Sequence, residues 1–255
     1  MATFVAFDKD GTRSYGKLEN GTIFELAAPP WVSDKPNGKK FPLREMKLLC
    51  PVEPSKIVLT GLNYKDHIKE SASATKEFDE PVLALKAPSA LIGPEEPIRH
   101  PGGGLEVHYE GELAVVIGKR ARKVFKEESP DYILGYTCLN DVTARNLQKK
   151  DIQWGRAKSF DSFCPVGPWI VSGIDPTHLK LTTRQNGLVR QQGDTSKMIW
   201  NPFELVSFIS SVMTLLPGDV ISTGTPSGVG AVLPEDLIEI EIEKIGVLRN
   251  KVASA

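Results

Sequence analysis

Two glutamates, Glu110 and Glu112, stand one residue apart in "HYEGELAVVIG", and an apolar run follows at once. In an extended segment alternate side chains share a face. Both carboxylates therefore project together from the head of what reads as a buried strand. Asp141 closes a second strand candidate, "PDYILGYTCLND", where it can converge on the same point. Three carboxylates with no cysteine nearby make a hard oxygen donor set, suited to Mg²⁺, Mn²⁺ or Ca²⁺ rather than Zn²⁺. A divalent ion relieves their repulsion; without a positive partner one carboxylate takes up a proton. The competing reading is a pair of solvent-facing glutamates on an edge strand.

His67 and Glu70 stand three apart in "DHIKE". On a helical turn such residues are neighbours, so the carboxylate can orient the imidazole and stabilise its charged form, as in a general-base dyad. A solvated helix face is the alternative. Lys158 in "RAKSFDSF" can hydrogen-bond an oxyanion or enolate as charge develops, and its apolar neighbours predict a half-buried segment. Arg145 and Gln148, three apart after Asp141, can face a substrate carboxylate, with arginine offering a two-pronged contact; Arg145 can equally brace the metal carboxylates. In "STGTPSGVG", Thr225 and the backbone N–H of Gly224 can cradle a carboxylate. That stretch lacks the Gly-Lys-Ser/Thr ending of a phosphate loop, which argues against nucleotide binding. His108 is expected to orient a ligand from behind; His100 and His178 have no convergent partners.

The elements that must position these groups are mostly strands. "KIVLTGL", "PVLALK", "ELAVVIG", "VGPWIVSG" and the alternating "LIEIEIEKIG" read as strands. Asn186-Gly187 joins two more as a hairpin, and "KDG" and "ENG" mark hairpin turns near the N-terminus. "NYKDHIKES" has helical character with Asn63 as a possible cap. "NPFELVSFISSVMTLLPGD" is a clear helix: Asn201 caps it, Pro202 fits the first position, and Glu204 completes a capping box. Phe203, Val206, Ile209 and Met213 are its predicted core face. "AAPPWVSDKPNGKK" is loop-like. "SASATKEFDEP", residues 71–81, is a plausible mobile loop that can close over the site as a lid. Strands do not alternate regularly with helices, so the fold class is mixed and mostly β with a few helices, and a doubly wound parallel sheet is not expected. Residues 1–50 read as a small N-terminal β-rich domain and 51–255 as the catalytic domain.

The 255 residues suit one large domain plus a small appendage. A formal net charge of -1 offers no basic field for nucleic acid or anionic lipid. No apolar run is long enough to span a bilayer, and the first residues lack the pattern of a signal peptide, so a cytoplasmic protein is expected. Cys50, Cys138 and Cys164 are widely spaced, which argues for buried thiols rather than a disulfide framework.

"GLNYKDHIKE", "HYEGELAVVIGK", "NDVTARNLQ", "QWGRAKSFDSFCPVGP" and "STGTPSGVG" occur in the order of the conserved blocks of the fumarylacetoacetate hydrolase (FAH) family. From about Pro54 to the C-terminus the chain resembles that family, and five blocks in order are specific where each alone is weak. The resemblance implies an FAH-type β-sandwich roll, usually a homodimer, with a divalent metal (Mg²⁺ or Mn²⁺, with Ca²⁺ possible) on Glu110, Glu112 and Asp141. It implies a catalytic place for Lys158. It also aligns His67 and Glu70 with the pair that activates water in enzymes cleaving acylpyruvates. The expected activity is hydrolysis of a C–C bond in a small 2-oxo acid with a second carbonyl. Oxaloacetate decarboxylation, or isomerisation or decarboxylation of 2-hydroxy-dienedioates from aromatic breakdown, are the alternatives.

Overall fold

The computed structural model describes residues 1–70 and 78–255. Three short-range signals set the first hairpins and one late one. Asp10-Gly11, Asn20-Gly21 and Asn186-Gly187 all take positive φ at both positions, the conformation that turns two strands back with the native twist. They join Ala2–Lys9 to Thr12–Glu19, Thr12–Glu19 to Thr22–Leu26, and Lys180–Gln185 to Leu188–Asp194.

Among the described residues the strands form one twelve-stranded sheet and two smaller ones. The large sheet runs from the N-terminal hairpins through Cys164–Ser172, Ile133–Asn140 and Gly111–Ile117 to Val220–Ser222, Ile57–Gly61 and Val82–Lys86. Its pairings are antiparallel except for Val220–Ser222 on Ile57–Gly61 and the short Leu91–Ile92 on Cys164–Ser172. The N-terminal strands are thus continuous with the large sheet, through Ala2–Lys9 on Cys164–Ser172. Lys180–Gln185, Leu188–Asp194, Leu237–Ile242, Gly246–Ser254 and Ile98–His100 make a five-stranded sheet. This mostly β, multi-sheet architecture is the predicted fold class.

Gly111–Ile117 is buried at every position. Leu113, Val115 and Ile117 join a core with Leu181, Ile240 and Ile242 of the five-stranded sheet, while Ala114 and Val116 join a second core with Val220 and Leu139. A strand sandwiched on both faces reads as an unbroken apolar run, which is why "ELAVVIG" stands out in the sequence.

Three local expectations change. The stretch read as a loop contains a strand, Pro36–Pro42, at the outer end of the large sheet; proline and glycine are tolerated there because one edge needs no partner. Asn63 does not cap Lys65–Glu70. Its amide donates to the carbonyls of Trp200 and Thr223 and accepts from the Trp200 N–H, tying three distant segments together. The long helix, Pro202–Val212, buries Leu205, Val206 and Ile209, whereas Phe203 is half-buried and Met213 already lies in extended backbone. Its N-terminus is as predicted: the Asn201 side chain accepts from the N–H groups of Phe203 and Glu204, and Glu204 accepts from the Asn201 N–H. Asn201→Ala should lower unfolding free energy by about 1 kcal/mol, read as a lower urea midpoint at constant slope; an unchanged midpoint would show that the cap carries no weight.

Candidate active site

The chain crosses from one sheet to another at Glu110. Val107–Tyr109 pairs in a three-stranded sheet with Thr143–Ala144 and Gly230–Ala231, whereas Gly111–Ile117 belongs to the large sheet. Glu110 lies between them, so the two glutamates do not sit on one continuous strand as the alternation predicts. They converge nonetheless. Asp141 directly follows Ile133–Asn140, and its N–H donates to the Glu110 carbonyl. Asn140 accepts from the Glu110 N–H. Ligand atoms of Glu110, Glu112 and Asp141 lie within 4.8 Å of one another, and all three side chains are buried.

Such a cluster needs positive charge, and the protein supplies some. Lys158, at the end of the short helix Gly155–Lys158, donates to Glu110 Oε2 and Thr143 Oγ1 at 2.9 Å each and to Asp141 Oδ2. Arg145 Nη2 lies 2.5 Å from Glu110 Oε1 and its Nη1 donates to Gln148 Oε1 at 2.9 Å. Lys86, fully enclosed at the end of Val82–Lys86, places Nζ 2.6 Å from Asp141 Oδ1 and donates to the carbonyls of Val142 and Phe163. Lys86 is absent from the sequence reading; a lysine ending a short apolar strand looks like any surface lysine.

The charges act unequally. Burial would raise the Glu110 carboxyl, but the neighbouring Arg145, Lys158 and His67 hold it well below the usual carboxylate range. Glu112 goes the other way: burial and then the negative charges of Asp141 and Glu110 push it well above that range. Its Oε2 accepts from Ser222 Oγ and from the Gly224 N–H at 2.7 Å, both neutral donors. Burial opposes the charge on Lys158, yet Asp141 and Glu110 raise its pKa.

One cleft gathers the predicted residues: His67, Glu110, Glu112, Asp141, Arg145, Gln148, Lys158, Gly224 and Thr225 all line it. Leu59, Thr60, Gly61, Leu62 and Trp154 complete its wall. Glu70 stands at its margin, with Oε2 3.7 Å from His67 Nδ1 and accepting from the Gly228 N–H at 2.9 Å. Burial lowers the His67 pKa, partly countered by Glu110, so the imidazole is neutral at neutral pH. Four buried atoms of this lining have no hydrogen-bond partner among the described residues: Thr60 Oγ1, His67 Nδ1, Asp141 Oδ1 and Arg145 Nη2. The last two have the close ionic contacts given above, but not at hydrogen-bond angles. Buried orphan groups are rare in a finished interior; the other two, Thr60 Oγ1 and His67 Nδ1, mark a place where a ligand completes the bonding.

Some predicted contacts are redirected. The Gly224 N–H and the Thr225 hydroxyl serve the protein, the first on Glu112 and the second donating to the Gly111 carbonyl. Arg145 braces Glu110, the second of its two expected roles. His108 pairs with Glu106 at 2.9 Å instead of orienting a ligand. The three thiols are buried as predicted, and that burial pushes them up to about 12. Residues 71–77 of the expected lid lie outside the described residues. Among those described, no helix is long and apolar enough to cross a membrane.

The donor set fits a divalent cation on its chemistry. It offers three hard oxygen ligands held together out of water, one of which, Glu112, is hydrogen-bonded only by neutral donors.

Comparison with known proteins gives the family. The profile of the fumarylacetoacetate (FAA) hydrolase C-terminal domain matches residues 56–253, and an Rv2993c-like N-terminal profile matches residues 3–51. The chain belongs to the fumarylacetoacetate hydrolase family. Oxaloacetate tautomerase YisK of Bacillus subtilis is 42% identical over 235 residues, 86% of this chain and 78% of that one. A 2-hydroxyhepta-2,4-diene-1,7-dioate isomerase from Mycobacterium marinum superposes with a TM-score of 0.91 at 42% identity, covering 100% of this chain and 99% of the other. Maleylpyruvate hydrolase from Sphingobium sp. SYK-6, solved with manganese(II) and pyruvate, superposes at 0.82 with 31% identity over 99% of each chain.

The buried cations are separable from surface ones by mutation. Lys86→Met strands Asp141 Oδ1 and two carbonyls and should cost about 3–5 kcal/mol in urea unfolding. Arg156→Ala, which breaks the exposed pair with Asp151, should cost less than about 1 kcal/mol. Equal costs would refute the assignment of Lys86 as a structural counter-charge.

Proposed function

We propose that the protein is a divalent-metal-dependent enzyme that cleaves a C–C bond in acylpyruvates or related 1,3-diketo acids, with water activated by His67 and Glu70. The observation that carries this reading is the placement of a neutral imidazole, its Nδ1 without a hydrogen-bond partner, in the same cleft as three converging carboxylates and the cations of Arg145 and Lys158. Glu110, Glu112 and Asp141 would hold the ion, with Mg²⁺ or Mn²⁺ the candidates and Ca²⁺ possible. When bound, it supplies Lewis acidity that polarises a 2-oxo acid and stabilises negative charge on it.

The remaining work falls to the chain. Arg145, Gln148 and Thr60 line the cleft with polar groups able to meet a substrate carboxylate or carbonyl. His67 Nδ1 removes a proton from water, and the hydroxide adds to the distal carbonyl. Glu70 stabilises the imidazolium so formed. The C–C bond then breaks: the acyl carbon leaves as a carboxylic acid and the bonding pair stays on the 2-oxo fragment as an enolate. Lys158, once one of its three N–H groups turns from its present partners, donates to the developing negative charge, and the proton held on His67 returns to the enolate carbon to give the 2-oxo acid. The proposal includes a homodimer, as the family resemblance implies, which light scattering would report as the mass of two chains.

A second reading has its own support. Relatives at 42% identity are named as an oxaloacetate tautomerase and a dienedioate isomerase. The same His67 can take a proton from the carbon next to the oxo group and deliver it to oxygen, with no water added and no bond cleaved. A panel of acylpyruvates, oxaloacetate and hydroxydienedioates, each with and without Mn²⁺, decides between them. The first reading predicts carboxylic acid release from acylpyruvates; keto–enol interconversion of oxaloacetate without any cleavage would replace it with the second.

Two further outcomes follow. Chelator-treated protein should lose activity and regain it with Mg²⁺ or Mn²⁺; full turnover in metal-free protein would reject the ion's role. His67→Ala should lower kcat by about 10²–10⁴-fold with Mn²⁺ affinity changed less than about threefold; unchanged turnover would remove His67 from the chemistry.

A further inference from the structure

Gly111 separates the two glutamates, and no side chain of its own holds it. A Cβ there would lie 2.2 Å from Thr183 Oγ1, so the position is confined to glycine by close approach. Glycine is also the residue least restrained about its own backbone. Rotation of the peptide planes at Gly111 swings Glu110 one way and Glu112 the other, so something else must fix them.

Gln191 does so from a different sheet. It is completely buried in the hairpin strand Leu188–Asp194. Its Oε1 accepts from the Gly111 N–H at 3.0 Å, and its Nε2 donates to Thr225 Oγ1 at 2.8 Å and to the Pro226 carbonyl at 2.9 Å. The Thr225 hydroxyl closes the ring by donating to the Gly111 carbonyl at 2.9 Å. Both polar groups of Gly111 are thereby held by one amide and one hydroxyl. The orientation of the amide is dictated by its surroundings: the Gly111 N–H needs an acceptor and the Pro226 carbonyl needs a donor, so the reversed amide would oppose like groups on both sides.

The loop that Gln191 grips reaches both halves of the site. At one end the Gly224 N–H holds Glu112. At the other the Gly228 N–H holds Glu70 at 2.9 Å, and the Gly228 carbonyl accepts from Tyr109 Oη at 3.0 Å. The loop is pressed against the strand throughout. A Cβ on Gly228 would meet the Arg190 carbonyl at 2.2 Å, and one on Gly193 would meet Pro226 at 2.7 Å.

We propose that Gln191 is a positioning residue whose amide sets the Glu110-Gly111-Glu112 backbone and the 224–228 loop together, and so couples the carboxylate cluster to the His67–Glu70 pair. This rests on the divalent-metal reading above. Supporting partners of metal ligands typically alter affinity by about 10–100-fold when removed.

The test is Mn²⁺ affinity of the folded, substrate-free protein, read by the loss of the free-ion electron paramagnetic resonance signal. Gln191→Met keeps the length of the side chain and removes its hydrogen bonds; Mn²⁺ Kd should rise about 10–100-fold. Asn250→Leu is the control. It removes a buried amide that serves the carbonyls of Gly93 and Glu96, outside the cleft, and should leave Kd within about twofold while destabilising the fold. Where Gln191→Met does not fold, Thr225→Val breaks one link of the same ring and should still weaken binding severalfold. Folded Gln191→Met, or Thr225→Val in its place, with wild-type Kd overturns the role of Gln191. An equal loss in Asn250→Leu overturns it too, because the effect would then be general loosening. Wild-type protein that binds no Mn²⁺ instead overturns the metal reading itself, so the two failures are distinguishable.

Discussion

Three carboxylates held within 4.8 Å of one another, out of water, are the constraint around which the protein is built. Each pair of like charges at that spacing costs about 3 kcal/mol at an effective dielectric of about 20, before any cost of burial. The fold meets this with three cations, each from a different segment: buried Lys86 from an edge strand, half-buried Arg145 from a helix start and buried Lys158 from a helix end. The compensation is uneven. Glu110 is bound by two cations and stays ionised, whereas Glu112 has only neutral donors and its carboxyl is driven upward. Glu112, with neutral hydrogen-bond donors alone, lines the cleft that also holds His67 and the unpartnered Thr60 Oγ1.

Much of this was legible in residue types and short spacings. Glu110, Glu112 and Asp141 are legible through their spacing at the ends of two strand candidates together with the family blocks that contain them. His67 and Glu70 are legible through helical spacing, and the Asn201 cap through a four-residue pattern. The FAH-type fold followed from five ordered blocks. What could not be read is what depends on distant partners. Lys86 meets groups 55 to 77 positions away in the chain. Gln191 sits in "VRQQGD", beside exposed neighbours, and looks like part of a wet hairpin until the 224–228 loop covers it. Thr60 in "IVLTG" reads as an ordinary strand threonine. The helix face was misjudged by phase: Val206 and Ile209 are buried as predicted, but Leu205 takes the place given to Phe203, because spacing tells that one face is apolar without saying which neighbour centres it.

The same architecture explains why one site can be matched with relatives named for hydrolysis, isomerisation and tautomerisation. All three reactions need negative charge stabilised on a 2-oxo acid and a neutral base beside it. In the proposed reading, a cation held by the carboxylate cluster would stabilise that charge and His67 would be the base. Which reaction follows depends on whether water or a substrate carbon presents the proton to His67, and on the groups, such as Arg145, Gln148 and Thr60, that set the substrate's orientation.

The account is tested most directly by diffraction from crystals grown with Mn²⁺ and oxalate, using the anomalous signal of the metal. It predicts a single strong peak among Glu110, Glu112 and Asp141, with oxalate lying in the cleft beside His67 and Arg145. Anomalous density only at exposed carboxylates such as Glu235, with the buried cluster closed around Lys158 and Lys86, would contradict it.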